Sequence, residues 1–557
     1  MQIVIPMSGF GERFRAAGYD RPKPLIEVEG KPIIAHVIDM FPGEDDFTFI
    51  CNQDHLDDKK FKMREIITQF CPQGKIIGIP PHKLGPIHAI QQIIATLRIT
   101  EPVVVNYCDF TCYWDWENFK DFVANSACDG AIPAYRGFHP HTLGSTNYAY
   151  LREVNGRISD IQEKQPFTQN RMEEYASSGT YYFSSVQLMS DAFSDVVVND
   201  LSVAGEFYVS LAYRPMLKSN GLILVYPIQH FMQWGTPDDV IEYNAWSSTF
   251  NSLISNQSNE VVLDGTVIIP MAGIGQRFVN EGYDTPKPLI PVSGLPMVVQ
   301  AALDLPTSKM QVFVLRKDME GCAQISKKLK EIYPTCVIKT LTGITNGQAS
   351  TALEAFSALD ELKKSAMGPI TIGACDNGVL YDHGKLMVLL ENTDIDVIVW
   401  TIRGYANAIR QPSMYGWVDC NEDGLIRNIS VKKPLNTPKT DPIVMGTFIF
   451  RKTKDYHDAF ESLVQRDGTI NGEFYIDSLI NDAISLGLKC HIFEVDSYLC
   501  WGTPNDLKTF EYWQSCFHKW ETHPYRLDLD RRIPKDMVQK LSEQYKPSVI
   551  ERPNKDV

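Results

Sequence analysis

The sequence predicts an α/β protein built twice in tandem, and three observations carry that expectation. Roughly 18 of the 29 residues from Val4 to Pro32 recur in order about 264 positions later, which marks an internal duplication. Further landmarks repeat at an offset of about 267. Cys108-Asp109-Phe110 returns as Cys375-Asp376-Asn377, Gly205-Glu206-Phe207-Tyr208 as Gly472-Glu473-Phe474-Tyr475, and Trp234-Gly235-Thr236-Pro237 as Trp501-Gly502-Thr503-Pro504. Within each half, short β-rich apolar runs alternate with helical segments, the pattern of a sheet with helices on its faces.

Taken in order, the runs Gln2–Pro6, Phe47–Cys51, Val103–Tyr107 and Ala131–Ala134 read as strands. Ile33–Met40 and Ile87–Leu97 read as helices between them. The constant spacing predicts domains over residues 1–250 and 264–515, with a linker at 251–263 where Asn251, Ser252, Ser255, Asn256, Gln257, Ser258 and Asn259 form a polar stretch. Residues 516–557, with Arg531-Arg532-Ile533-Pro534 and Lys555-Asp556, read as a helical or irregular tail without assignable chemistry.

Bulk properties narrow the function. A net charge of −15 argues against a nucleic-acid or anionic-membrane partner, which calls for a basic face, but leaves room for a small phosphorylated ligand. The start has no basic and apolar leader pattern, and no apolar run approaches a bilayer span of about 18 residues. A cytoplasmic protein without membrane insertion, monomeric or homo-oligomeric, is expected. The 12 cysteines show no Cys-x-x-Cys spacing, so reduced core thiols are expected over a zinc site.

The repeated segment carries the chemistry. Gly9-x-Gly11-x-Arg13, followed by Pro22-Lys23-Pro24-Leu25, returns as Gly273-x-Gly275-x-Arg277 and Pro286-Lys287-Pro288-Leu289. Glycines at Gly9, Gly11, Gly273 and Gly275 let backbone N–H groups approach an anion, and a following helix N-terminus adds its dipole. The loop is too short for a dinucleotide fingerprint and lacks the Gly-Lys-Ser/Thr of a P-loop. Because the first run passes directly into the loop, these residues belong at the crevice beyond the carboxyl ends of the strands.

On these motifs, both halves resemble the sugar-phosphate nucleotidyltransferases, the nucleoside-diphosphate-sugar pyrophosphorylases. The resemblance implies two Rossmann-like domains, each with a mixed, mostly parallel sheet flanked by helices. It implies an NTP attacked at its α-phosphorus by a phosphate oxygen of a phosphorylated small-molecule acceptor, with pyrophosphate leaving. Arg13 and Lys23, with Arg277 and Lys287, match the family's catalytic positions, and nucleotidyl transfer is accelerated mainly by positioning and fixed positive charge. Asp109 and Asp376 match a Mg2+-binding aspartate at a strand end, or else cap a helix. Gly85, Gly347 and Gln348 fall in the loop used for nucleobase contact. Lys164, in Glu163-Lys164-Gln165-Pro166, and Lys432, in Val431-Lys432-Lys433-Pro434, match an acceptor-phosphate lysine, although the second copy loses the acid. Glu206 and Glu473 are candidates for acceptor hydroxyls or for a structural role.

The chain departs from the family where many members carry a second metal-binding Asp before a late Gly-Thr. Here Gln233 and Cys500 hold that place. His139 and His141 occur in the first half alone and read as ordinary loop residues or acceptor contacts. The expected function is NMP transfer to a phosphorylated sugar or related metabolite for capsule or surface polysaccharide synthesis, with a mild preference for cytidylyl transfer. Two alternatives are a degenerate half that regulates or scaffolds the other, and a non-catalytic nucleotide sensor. A glycosyltransferase would call for Asp-x-Asp, and the chain offers Asp109-Phe110-Thr111 and Asp376-Asn377-Gly378.

Overall fold

The computed structural model of the chain describes residues 1–255, 262–362, 364, 366 and 368–545. These fall into two compact units, Met1–Ser247 and Ser248–Tyr545.

The first unit is organised by a ten-stranded mixed sheet. Its strand Gln2–Met7 has Ile3, Val4 and Ile5 fully buried, as a parallel strand covered on both faces requires. It pairs in parallel with Phe47–Asn52 on one side and Val103–Asn106 on the other, and Phe47–Asn52 pairs in parallel with Lys75–Ile79. Beyond Val103–Asn106 the sheet changes direction. Thr180–Phe183 runs antiparallel between Val103–Asn106 and Gly130–Tyr135, and Ile223–Pro227 is parallel to Gly130–Tyr135. A hairpin, Ala149–Val154 with Arg157–Glu163, extends this end of the sheet.

Helices close the faces because their apolar sides meet the strands. Ile87, Ala89 and Ile90 of Pro86–Gln91, and Met189, Phe193 and Val196 of Val186–Val198, join Val4, Val105 and Phe183 in one buried cluster. The helix expected at Ile87–Leu97 is two pieces, Pro86–Gln91 and a 3-10 turn at Ile94–Thr96. A two-stranded ribbon, Phe110–Tyr113 with His230–Gln233, stands off the sheet and leads the chain away from Asp109.

The second unit repeats this strand order. Val262–Pro270 pairs in parallel with Thr307–Arg316 and Ile370–Ile372, and Ile443–Phe450 runs antiparallel between Ile370–Ile372 and Val397–Ile402. Cys490–Glu494 is parallel to Val397–Ile402, and Gly416–Cys420 forms a hairpin with Ile426–Val431. The ribbon returns as Asn377–Leu380 with Ser497–Cys500.

The ends of the units differ from the sequence expectation. The polar stretch read as a linker is helical through Ser255, in a continuous helix Pro237–Ser255; Asn256, Gln257, Ser258 and Asn259 lie outside the described residues. At the other end, the helix Pro504–Lys519 runs through the expected boundary at 515. The tail that follows is part of the compact second unit and includes the helix Lys535–Gln544. Tyr525 and Leu527 are fully buried, the Tyr525 hydroxyl donates to Asp530 at 3.0 Å, and Arg532 pairs with buried Asp304 at 3.0 Å. Burial pushes the Asp304 carboxyl up to about 6 despite the guanidinium beside it. Lys555 and Asp556 lie outside the described residues. All 12 cysteines are free thiols, and no helix among the described residues is long and apolar enough to cross a membrane.

Candidate active site

The loop after the first strand is shaped by one left-handed residue. Gly11, at φ 64°, caps the short helix Glu12–Ala16, a conformation that penalises a Cβ. Arg13 on that helix lines a cavity of about 310 Å³. Lys23 enters the same cavity from the turn Lys23–Leu25, which buried Pro24 and Leu25 pin down. Its ammonium meets the Asp109 carboxylate at 2.7 Å. Burial alone would lower the Lys23 pKa; Asp109 outweighs it and holds the ammonium above its ordinary range. The Asp109 carbonyl accepts from the Trp234 N–H at 2.8 Å, so the ribbon fixes the acid from behind.

Lys164 stands on another wall of the cavity. It is left-handed at φ 60°, directly after the strand Arg157–Glu163, and its N–H donates to the Tyr148 carbonyl at 2.8 Å. Its ammonium lies over the Tyr208 ring and donates to the Tyr208 hydroxyl at 2.5 Å, and that hydroxyl donates to Glu206. Glu163 lines the cavity beside it and accepts from the Ser210 hydroxyl at 2.6 Å. Burial raises the Glu163 carboxyl, against the lowering effects of Ser210 and Lys164. The cavity thus gathers Arg13, Lys23 and Lys164 with three carboxylates, which suits a polyanion that also carries hydroxyl groups.

Gly85 and Gly347 owe their identity to packing. Each is left-handed, and a Cβ at Gly85 would sit 2.7 Å from the Phe207 nitrogen and 2.8 Å from its carbonyl oxygen. Phe207 clamps the loop, donating to the Leu84 carbonyl and accepting from Ile87 N–H, at 2.9 and 3.1 Å. Gly347 is held in the same way by Phe474. The clamp ties the Leu84–Gly85 loop to Glu206. Gln348 opens the helix Gln348–Glu361, half-buried. At Gly9 and Gly273 a Cβ would meet nothing within 4 Å, so packing does not demand glycine there.

In the second unit Lys287 contacts Asp376 at 2.5 Å and donates to the Gly502 carbonyl at 3.0 Å. Lys432, left-handed at φ 59°, donates to the Tyr475 hydroxyl at 2.7 Å, and Tyr475 hydrogen-bonds Glu473. Gly275, at φ 70°, caps the helix Gln276–Asn280, whose Arg277 is exposed.

The units differ as hosts for a divalent cation. In the first, the Gln233 Oε1 is buried without a hydrogen-bond partner and both Gln233 and Asp109 line the cavity, an oxygen set that fits Mg2+. In the second, Cys500 takes that place and burial drives its thiol pKa well upward, so it offers no hard oxygen donor. His139 and His141 pack in an aromatic cluster with Tyr135 and Phe231, and burial pushes His139 down to about 4. They support the wall of the cavity rather than lining it. Sequence reasoning missed Tyr208, although it stands in the repeated Gly-Glu-Phe-Tyr.

Residues 3–171 match the MobA-like NTP transferase domain. The chain is similar to the bifunctional protein GlmU of Methanocaldococcus jannaschii, 24% identical over 278 residues, covering 49% of this chain and 61% of that protein. It is also similar to mannose-1-phosphate guanyltransferase beta-B of Xenopus laevis, 24% identical over 253 residues, covering 43% and 63%. The matches therefore span about three fifths of these relatives' own length. Among solved structures, the nucleoside-diphosphate-sugar pyrophosphorylase of Vibrio cholerae is 21% identical with a TM-score of 0.37, covering 44% of this chain and 98% of that one. The match to the MobA-like NTP transferase domain thus takes in the glycine loop, Lys23, Asp109 and Lys164 of the first unit.

Proposed function

We propose that the protein transfers NMP from an NTP to a phosphorylated sugar or related metabolite, in the service of surface polysaccharide synthesis. The observation that carries this reading is the single cavity into which Arg13 and Lys23 open from one wall and Lys164 from another. In the reaction an oxygen of the acceptor phosphate forms a bond to the α-phosphorus, the bond from that phosphorus to the β-phosphate oxygen breaks, and pyrophosphate leaves with the electron pair. Arg13 and the loop N–H groups hold the triphosphate. Lys23 sets a fixed positive charge at the reacting phosphate, held in place by Asp109. Lys164, braced by Tyr208, holds the acceptor phosphate. Mg2+, bound through Asp109 and Gln233, would neutralise phosphate charge.

The second unit supports a variant of this reading, because Cys500 replaces the oxygen donor while the Lys287–Asp376 pair is kept. Its site then binds ligand with weaker metal dependence, or serves the first unit. Pyrophosphate release from CTP, UTP, GTP, ATP and dTTP, crossed with phosphorylated sugars and polyols, tests the reading. Release from one pairing establishes it; nucleotide binding without release from any pairing replaces it with a sensor.

A further inference from the structure

The two units build the surroundings of the acceptor-side lysine from different residues. In the first unit Glu163 ends its strand opposite Ala149 and receives the Ser210 hydroxyl. Three local features fix the equivalent positions in the second unit. Val431 ends its strand opposite Gly416. Lys432 follows it with nearly the same left-handed φ as Lys164, and donates its N–H to Tyr415 as Lys164 does to Tyr148. Asp477 stands two residues after Tyr475, as Ser210 stands two after Tyr208.

The set Ala149, Glu163 and Ser210 therefore becomes Gly416, Val431 and Asp477. The strand loses its acid, the start of the helix Ile476–Ser485 gains one, and the facing residue shrinks. The last change is required by the second: a Cβ at Gly416 would lie 2.2 Å from Asp477 Oδ2. The carboxyl has moved between two chain elements while staying beside the lysine. Burial pushes it up to about 6, with its own backbone N–H and Lys432 opposing. A half-buried carboxylate costs free energy unless something binds it, and it has acceptor capacity for a hydroxyl group.

We propose that Asp477 is an acceptor-binding residue of the second unit, taking a hydroxyl of a phosphorylated sugar or polyol whose phosphate lies on Lys432. This deepens the nucleotidyltransferase reading and rests on it. The second unit keeps a full acceptor site, with its carboxylate presented from the helix instead of the strand.

The test is equilibrium binding to the full chain carrying Lys164→Met, which silences the first unit's lysine. The probes are inorganic phosphate and a panel of sugar 1-phosphates and polyol phosphates. At least one hydroxyl-bearing ester is expected to bind more tightly than inorganic phosphate. Asp477→Ser should remove that advantage, a loss of about tenfold or more for a hydrogen bond to a charged group, while inorganic phosphate binding stays within about twofold. The triple variant Gly416→Ala, Val431→Glu, Asp477→Ser rebuilds the first unit's arrangement and should restore an ester preference, which excludes a folding defect. A preference that survives Asp477→Ser, or no ester bound better than phosphate, overturns the proposal. Absence of phosphate binding that Lys432→Met abolishes likewise overturns the proposal, whereas the underlying functional reading fails separately, when the parent chain releases no pyrophosphate from any nucleotide and acceptor pairing.

Discussion

Replacing Gly85 with alanine separates the packing role of the second glycine loop from the ligand role of the first. The new Cβ would stand 2.7 and 2.8 Å from the Phe207 nitrogen and oxygen, at a φ of 86°. The left-handed conformation costs a non-glycine residue about 1 kcal/mol or more. Relief of the two contacts requires parting the loop from Phe207, which gives up the bonds Phe207 N–H to Leu84 and Ile87 N–H to Phe207. At about 1 kcal/mol each, the total is about 3 kcal/mol, roughly a hundredfold in a local opening equilibrium. Hydrogen exchange of peptides covering 82–90 and 203–210 reads that opening directly. Gly9→Ala is the control, because a Cβ there meets nothing within 4 Å; its exchange should match the parent protein while its KM for nucleotide rises. The reasoning is refuted if Gly85→Ala leaves protection of both peptides within about threefold of the parent.

Other outcomes follow from the same geometry. Lys23→Met should lower kcat by about 10²–10³ through the loss of one oxyanion-stabilising group. It should shift urea unfolding by no more than about 1 kcal/mol, since the Lys23–Asp109 pair is a quarter or more exposed. Lys164→Met should raise the acceptor KM at least tenfold and leave the nucleotide KM within twofold, read from steady-state kinetics with each substrate varied. Asp304, whose carboxyl is pushed from the ordinary 3.8 up to about 6, retains its proton in the folded state through a range where the unfolded chain has lost it. Its contribution is full below about pH 4 and is lost as the pH rises through 6, so urea unfolding should show this term falling by about 1 kcal/mol from pH 5 to 7. Asp304→Asn should remove that slope.

That Arg13, Lys23 and Asp109 come together in one cavity was foreshadowed in the sequence because duplication printed them twice. Lys23 and Lys287 reach Asp109 and Asp376 by nearly the same route in each unit, and a motif seen twice leaves little to chance. Asp477 was illegible for the opposite reason. The two copies disagree there, and the exchange with Glu163 appears only when hairpin register brings Gly416, Val431 and the helix start together. Tyr208 and Tyr475 carry no chemical signal of their own beside the acids Glu206 and Glu473, whereas the structure uses the phenols to brace the lysines. The antiparallel half of each sheet has no signature in the alternation of strands and helices, since local periodicity carries no partner direction. The polar run after Ser247 reads as a linker by composition; its side chains are equally compatible with the last turns of a helix, which is what they form through Ser255, with Phe250 and Leu253 among them buried. The tail's anchor, Arg532 on Asp304, joins residues 228 apart in sequence, beyond the reach of any local pattern.

Magnesium-dependent pyrophosphate release, measured across nucleotide and acceptor pairs for the parent chain, Asp109→Asn and Asp376→Asn, tests the central claim most directly. The account predicts release with a specific pairing that Asp109→Asn abolishes, because Lys23 pairs with that carboxylate in the cavity that Arg13, Gln233 and Lys164 also line. Full turnover in Asp109→Asn, or no release from any pairing by a chain that still binds nucleotide, would contradict it.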